Sequence, residues 1–250
     1  MLFRSLYTMS HISVGQINAR GSPTSWVMLE MAAKEKGLDI VLVQDPPREV
    51  KKWVWEGFSL ICPKVPDPKT AILVKKHFKH RSMDGFGPRV SVVAVFSRGS
   101  KYLFIFAYIR HSTGDGVDEL SRALLRAAES SPNVLLGSDC NGHSPLWGPE
   151  GTRADRVGTL VEGVLSEGGL LVINSSTAPA SFFSEAGHSS WIDITATSPA
   201  LTCRIADWAV HPEIEVGSDH RLIIMTIEAE RSEEHTSELQ SLAYLVCRLL

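Results

Sequence analysis

The chain has 250 residues, a formal net charge of −3 and 44% apolar residues, enough for one large domain or two small ones, with no stretch that looks like a linker. No apolar run approaches a bilayer span, and the first ten residues lack the apolar core and small-residue cleavage site of a secretion signal. The four cysteines, Cys62, Cys140, Cys203 and Cys247, have neither zinc-site spacing nor disulfide-scaffold density, which points to a reducing compartment.

Alternation over 11–17 predicts a first strand that delivers Asn18 to a sheet edge. Ser22 and Pro23 then start a helix with Val27, Met28, Met31 and Ala32 on one face, and Gly37 closes it. The apolar run 39–43 predicts a second strand, stopped at Gln44-Asp45-Pro46-Pro47 because proline cannot continue a hydrogen-bond ladder. A basic stretch follows, with Lys64, Lys69, Lys75, Lys76, Lys79, Arg81 and Arg89 against Asp67 and Asp84; a solvated face explains it as well as a nucleic-acid contact does. Strands over 70–74, 90–96 and 102–107, the last two joined at Arg98-Gly99-Ser100, read as a meander. Helices follow at Val117, Leu120, Leu124 and Ala127, and at Val157, Leu160, Val161, Val164 and Leu165, the second despite Gly158 and Gly163.

Between those helices the run Val134-Leu135-Leu136 ends in Gly137-Ser138-Asp139-Cys140-Asn141-Gly142-His143. The last third supplies strands over 170–173, 191–197, 204–210 and 221–227, the final one preceded by Ser218-Asp219-His220. Strands dominate, helices are interspersed and several strand pairs are close enough for hairpins, so a mixed-sheet α/β sandwich is expected rather than a parallel wound sheet. Residues 231–241 match the translation of a common sequencing adapter, so 230–250 is expected to be a non-native tail, with 1–11 an extension before a domain over 12–229.

Two strand ends bearing acids suggest one active site. Carboxylates hold a divalent cation or move protons, an amide orients a phosphate or a water, and imidazole titrates near neutrality. Those are the groups that metal-assisted phosphodiester hydrolysis needs. Taken singly, each residue has a plainer use: Asp139 in a turn, Asp193 accepting from a buried amide, Asn18 in an Asx turn, Tyr108 packing at a rim, and His143 and Ser144 in internal hydrogen bonds. Trp147 and Trp191 read as packing residues.

In their order, Asn18, Gln44-Asp45-Pro46, Tyr108, Asp139-Cys140-Asn141, Asp193 and Ser218-Asp219-His220 resemble the endonuclease/exonuclease/phosphatase superfamily over nearly all of 12–228. The finer blocks Asn141-Gly142-His143-Ser144-Pro145-Leu146-Trp147-Gly148, Ser189-Ser190-Trp191-Ile192-Asp193-Ile194-Thr195 and Ser218-Asp219-His220-Arg221 resemble the apurinic-like endonuclease domain of LINE-type retrotransposons. The resemblance implies a four-layered α/β sandwich of two packed mixed β-sheets flanked by helices. It implies a Mg²⁺-dependent DNA endonuclease, with Mn²⁺ as the substitute ion, that nicks its target and leaves a 3′-hydroxyl to prime reverse transcription.

Carried over residue by residue, Asp45, Asn18 and Asp219 would hold the metal, and Asp139 with Asn141 would position the attacking water. His220, oriented by Asp193, and the hydroxyl of Tyr108 would meet the scissile phosphate, while Arg110, His143, Ser144 and Ser190 would contact the DNA backbone. The implied partners are DNA and a downstream reverse transcriptase domain, with no membrane, acting in the nucleus after synthesis in the cytoplasm. Two rival readings stay open: an apurinic-site or other phosphodiesterase of the same fold, and a decayed DNA-binding remnant. The second arises because the family has Glu where this chain has Asp45, and the shorter side chain withdraws a carboxylate from an ion that tolerates little distance error. Cys140 stands where the family commonly has Phe and is expected to fill core space.

Overall fold

The computed structural model describes residues 11–184 and 186–228. In chain order its elements are β1 (His11–Asn18), α1 (Pro23–Glu35), β2 (Ile40–Gln44), β3 (Phe58–Ile61), β4 (Thr70–Lys75), β5 (Lys79–Met83), β6 (Val90–Ser97), β7 (Ser100–Tyr108) and α2 (Val117–Ala128). They continue with β8 (Asn133–Asp139), α3 (Arg156–Glu167), β9 (Leu171–Val172), β10 (Phe182–Phe183), β11 (Ser189–Ser190), β12 (Asp193–Thr197), α4 (Pro199–Thr202), β13 (Ile205–His211) and β14 (Leu222–Glu228). The expected tail at 230–250 and most of the expected extension at 1–11 lie outside the described residues.

Two six-stranded mixed sheets form, in the orders β13-β14-β1-β2-β4-β3 and β5-β6-β7-β8-β12-β9. Each contains one parallel pair, β1 with β2 and β7 with β8. The connection in each pair is a helix, α1 or α2, because parallel neighbours need a long crossover where antiparallel ones need only a turn. A parallel pair sends two consecutive strand ends to the same edge, so Asn18, Gln44, Tyr108 and Asp139, each the last residue of its strand, end up on the site side of the two sheets.

Apolar faces dictate the layering. Val14, Leu42, Ile72, Phe104, Leu135 and Met225 pack between the sheets. Trp26, Leu29 and Ala33 of α1 cover Val41 and Val43 on one outer face, with Trp55 set beside Trp26 at 5.1 Å between ring centroids. Leu120 and Leu124 of α2 and Val161 of α3 cover Ile105 and Leu136 on the other. The result is the four-layered α/β sandwich the sequence implied. The helix start at α1 is also as expected: the Ser22 side chain accepts from the Ser25 N–H at 3.2 Å, and Pro23 opens the first turn.

Four strands were not expected, and each lacks the pattern that announces one. β5 falls within the basic stretch and is a sheet edge with no buried residue. β3 is the edge of the other sheet, and β10 and β11 pair over only two residues each. The strands expected over 170–173 and 191–197 begin later, at Leu171 and Asp193.

Candidate active site

Register, more than proximity in sequence, assembles the site. Tyr108 of β7 is the partner of Asp139 of β8, and Asp139 is the partner of Asp193 of β12, so three site residues stand in one row across adjacent strands. Partners in a row present their side chains to the same face. The facing sheet brings Asn18 at the end of β1, and the turn into β14 brings Asp219 and His220. Ser218 ties that turn down: its hydroxyl donates to the Asn18 carbonyl at 2.7 Å and accepts from the His220 N–H at 3.1 Å.

A continuous chain of contacts results. Asn18 Nδ2 donates to Asp139 Oδ2 at 2.8 Å, His220 Nε2 stands 3.9 Å from the same oxygen, and His220 Nδ1 donates to Asp193 Oδ2 at 2.8 Å. Asp193 thereby orients the ring, and Phe182 packs edge-on against it at 5.1 Å. All four polar residues are buried, with exposures of 6% for Asn18, 1% for Asp139, 2% for Asp193 and 6% for His220. Ligand atoms of Asp139, Asp193 and His220 lie within 4.8 Å of one another.

Burial and neighbouring charge set the protonation. Burial, then the charge of Asp193, pushes the Asp139 carboxyl up to about 7, against the pull of His220, Asn18 and the Asn141 N–H. Burial disfavours the His220 imidazolium, but Asp193 by charge and hydrogen bond, with Asp139 and Asp219, outweighs it and raises the group to about 9. Burial, followed by the charges of Asp139 and Asp45, raises the Tyr108 phenol, so its hydroxyl remains a donor at neutral pH.

Two of the three expected metal holders, Asp45 and Asp219, sit at the rim, while Asn18 lies in the buried chain. Asp45 occupies a left-handed turn position (φ 38°) just past β2, with Lys69 Nζ 3.6 Å from its Oδ1. Asp219 Oδ2 is paired with Arg20 at 2.7 Å. A divalent cation fits this donor set on two observations. Asp219 Oδ1, of that set, is buried without a hydrogen-bond partner, and a buried carboxylate oxygen calls for positive charge. The set is also oxygen-rich, as Mg²⁺ prefers.

The residues expected on DNA are less uniform. Ser144 is buried, accepts from the Leu146 N–H and donates to Glu162, so its hydroxyl serves the loop rather than a ligand. His143 bridges Asp155 Oδ2 and Ser190 Oγ, both at 2.9 Å, which occupies both of its ring nitrogens and the Ser190 hydroxyl. Arg110 is 57% exposed and reaches Asp115 Oδ2 only at 3.7 Å. Asn141 (φ 48°) gives its N–H to Asp139 Oδ1 at 3.1 Å, while its side-chain amide donates to the Ile109 carbonyl at 3.0 Å. Within the basic stretch Lys64 pairs with Asp84, Lys69 with Asp67 and Lys75 with Asp39.

Sequence reasoning missed several supporting residues. Ser181 Oγ accepts from the Asp193 N–H at 3.1 Å, 12 residues away, and Arg20 reaches Asp219 across most of the chain. No local spacing signals such pairs. Cys140, expected to fill core space, does so, with its thiol on the Ile192 carbonyl at 3.1 Å. Trp147 is buried and donates to the Gly142 carbonyl at 3.0 Å, and Trp191 donates to the Ala178 carbonyl at 2.9 Å.

The sequence model of a family described as Endonuclease-reverse transcriptase matches residues 102–224. The Retrovirus-related Pol polyprotein from type-1 retrotransposable element R1 of Bradysia coprophila is 28% identical over 181 residues, covering 70% of this chain; the chain spans only 17% of that polyprotein. Among solved structures, the endonuclease domain of TRAS1, a telomere-specific non-LTR retrotransposon, aligns with a TM-score of 0.77 and 21% identity over 88% of this chain and all of that one. The AP endonuclease LMAP of Leishmania major aligns with a TM-score of 0.71 and 15% identity, covering 88% and 89% of the two chains. At such identities the structural matches establish the fold alone.

Proposed function

We propose that this chain belongs to the endonuclease/exonuclease/phosphatase superfamily, to which the family match and the likeness to the R1 polyprotein point, and is a Mg²⁺-dependent DNA endonuclease of the LINE type that nicks one strand of a duplex. The product has a 3′-hydroxyl and a 5′-phosphate, and the hydroxyl primes a reverse transcriptase encoded further along the same polyprotein, acting in the nucleus. The observation that carries the reading is the buried chain from Asn18 through Asp139 and His220 to Asp193, which joins the two sheets at their site end. The sequence similarity to the R1 polyprotein favours this branch over repair.

A divalent cation held by Asp45, Asn18 and Asp219 would supply charge to the nonbridging phosphate oxygens. The chain's own groups divide the remaining work. Asp139, at about 7, accepts the proton of the attacking water near neutrality. Asn141, fixed by its two hydrogen bonds beside Asp139, positions that water. His220, at about 9, stays an imidazolium and presents Nε2 to the phosphate while Asp193 holds Nδ1. Tyr108 adds a hydroxyl donor from the same row.

The reading is tested on supercoiled plasmid. Incubation with Mg²⁺ is expected to give open circles whose nicks a DNA polymerase extends without end repair, and EDTA is expected to abolish nicking. Nicks that resist extension would contradict the primer role. Strong preference for abasic over intact duplex would select the repair reading instead. Salt-sensitive duplex binding without any cutting would select the decayed remnant, which the Asp45 substitution makes a specific rival.

A further inference from the structure

The two rim carboxylates assigned above to the metal are each engaged by a cation. Arg20 Nη1 lies 2.7 Å from Asp219 Oδ2. Lys69 Nζ lies 3.6 Å from Asp45 Oδ1 and 2.8 Å from Asp67 Oδ2, and so sits between two acids. The pairs adjoin: Gly21, next to Arg20, donates its N–H to the Asp45 carbonyl at 2.6 Å, and a Cβ at Gly21 would stand 3.6 Å from Asp45 Oδ2. The Arg20 backbone is pinned in the left-handed region (φ 52°), with its N–H on Asn18 Oδ1 at 2.8 Å, yet its side chain is 60% exposed. Its base is fixed and its head can leave. Asp219 is only 15% exposed, so a charge on it needs a partner at all times.

We propose that Arg20 and Lys69 are exchangeable counter-charges. They neutralise Asp219 and Asp45 while no divalent cation is held, and turn to a DNA phosphate once one is. An ion that takes these carboxylates must first break the pairs, so each pair weakens ion binding. Each released cation then meets a phosphate, for which a guanidinium is suited by its paired donors. By linkage, ion and DNA promote each other's binding. The inference rests on the nuclease reading and gives two residues a role that fixed surface salt bridges would not have.

The test measures Mn²⁺ affinity of the full chain without nucleic acid, by calorimetry or by the electron paramagnetic resonance of free Mn²⁺. Arg20→Gln is expected to tighten Mn²⁺ by about fivefold, and Lys69→Gln, whose pair is longer and whose acid is more exposed, by about twofold. Arg20→Lys should stay near wild type. Lys52→Gln, which removes a cation paired with Glu49 in the loop after Asp45, should leave the affinity unchanged. With Ca²⁺ present, Arg20→Gln should bind duplex DNA more weakly than wild type, opposite in sign to its metal effect. Unchanged or weaker Mn²⁺ affinity in both Gln variants overturns the proposal, as does equal tightening in Lys52→Gln, which would reflect net charge alone. No Mn²⁺ binding in any protein, wild type included, would remove the metal site itself and with it the nuclease reading.

Discussion

His220 is an imidazolium that is 6% exposed, kept charged by Asp193 and two further carboxylates. Its folded pKa of about 9 lies above the ordinary 6.5, so the fold favours its protonated form. That contribution is fully present below pH 6.5 and lost as pH rises through 9. Asp139, raised from 3.8 to about 7, has the same sign and loses its contribution as pH rises through 7. The metal-free protein should therefore lose stability from pH 6 to 9. Asp193→Asn removes the strongest support of the imidazolium, so its urea-unfolding free energy should vary less with pH. The gap to wild type should shrink by about 2–3 kcal/mol between pH 6.5 and 9; parallel profiles would contradict the assignment. At this scale the sequence was informative about the residues that carry chemistry, because Asp139, Asp193 and His220 lie in recognisable blocks. It placed Ser218 in its block without a role, since the Asn18 carbonyl it meets lies 200 residues away, and it was silent about Ser181 and Arg20, whose partners follow no local pattern.

Helix α3 was legible from its apolar spacing in spite of Gly158, which looked like a weak point. In the fold Gly158 is required: a Cβ there would stand 1.8 Å from the His143 carbonyl oxygen. The neighbouring Gly142 lets the loop lie on the first turn of α3, since its own Cβ would stand 2.7 Å from the Gly158 nitrogen. Asp155 caps that turn by accepting from the Gly158 N–H at 2.7 Å, and it takes both the N–H and the ring of His143. The loop that begins at Asn141 is thus anchored on the helix start. Gly158→Ala should destabilise by at least about 2 kcal/mol through backbone overpacking, lowering the melting temperature by about 5 °C or more. A change within one degree, measured by circular dichroism, would show that the loop yields freely. By contrast β3, β5, β10 and β11 were not legible, because edge strands and two-residue pairings carry no buried alternation for a sequence to display.

Seen whole, the molecule is two sheets closed over each other and stitched at the site end by buried polar contacts. Gln16 donates to the Ile194 carbonyl at 3.0 Å and accepts from Thr195 at 3.0 Å, Gln44 donates to the Ala107 carbonyl at 3.3 Å, and the hydroxyls of Thr70 and Ser91 meet at 2.8 Å. Such ties cost more to break than they look, since each would leave a buried polar group unpaired. They hold Asn18 on one sheet against Asp139 on the other. The sandwich class was readable from strand-rich composition with interspersed helices. The sheet order was not, because hydrophobic period reports which face is buried and not which strand lies alongside. That order is what brings separate blocks of sequence to the site end, and the central claim is that they act there as a unit on a single phosphate. Single-turnover cutting of a duplex by wild type, Asp139→Asn, His220→Ala and the double variant tests it most directly. Each single change should cost on the order of a thousandfold, and the double change no more than either alone. A single variant that cuts at the wild-type rate, or losses that multiply in the double variant, would contradict it.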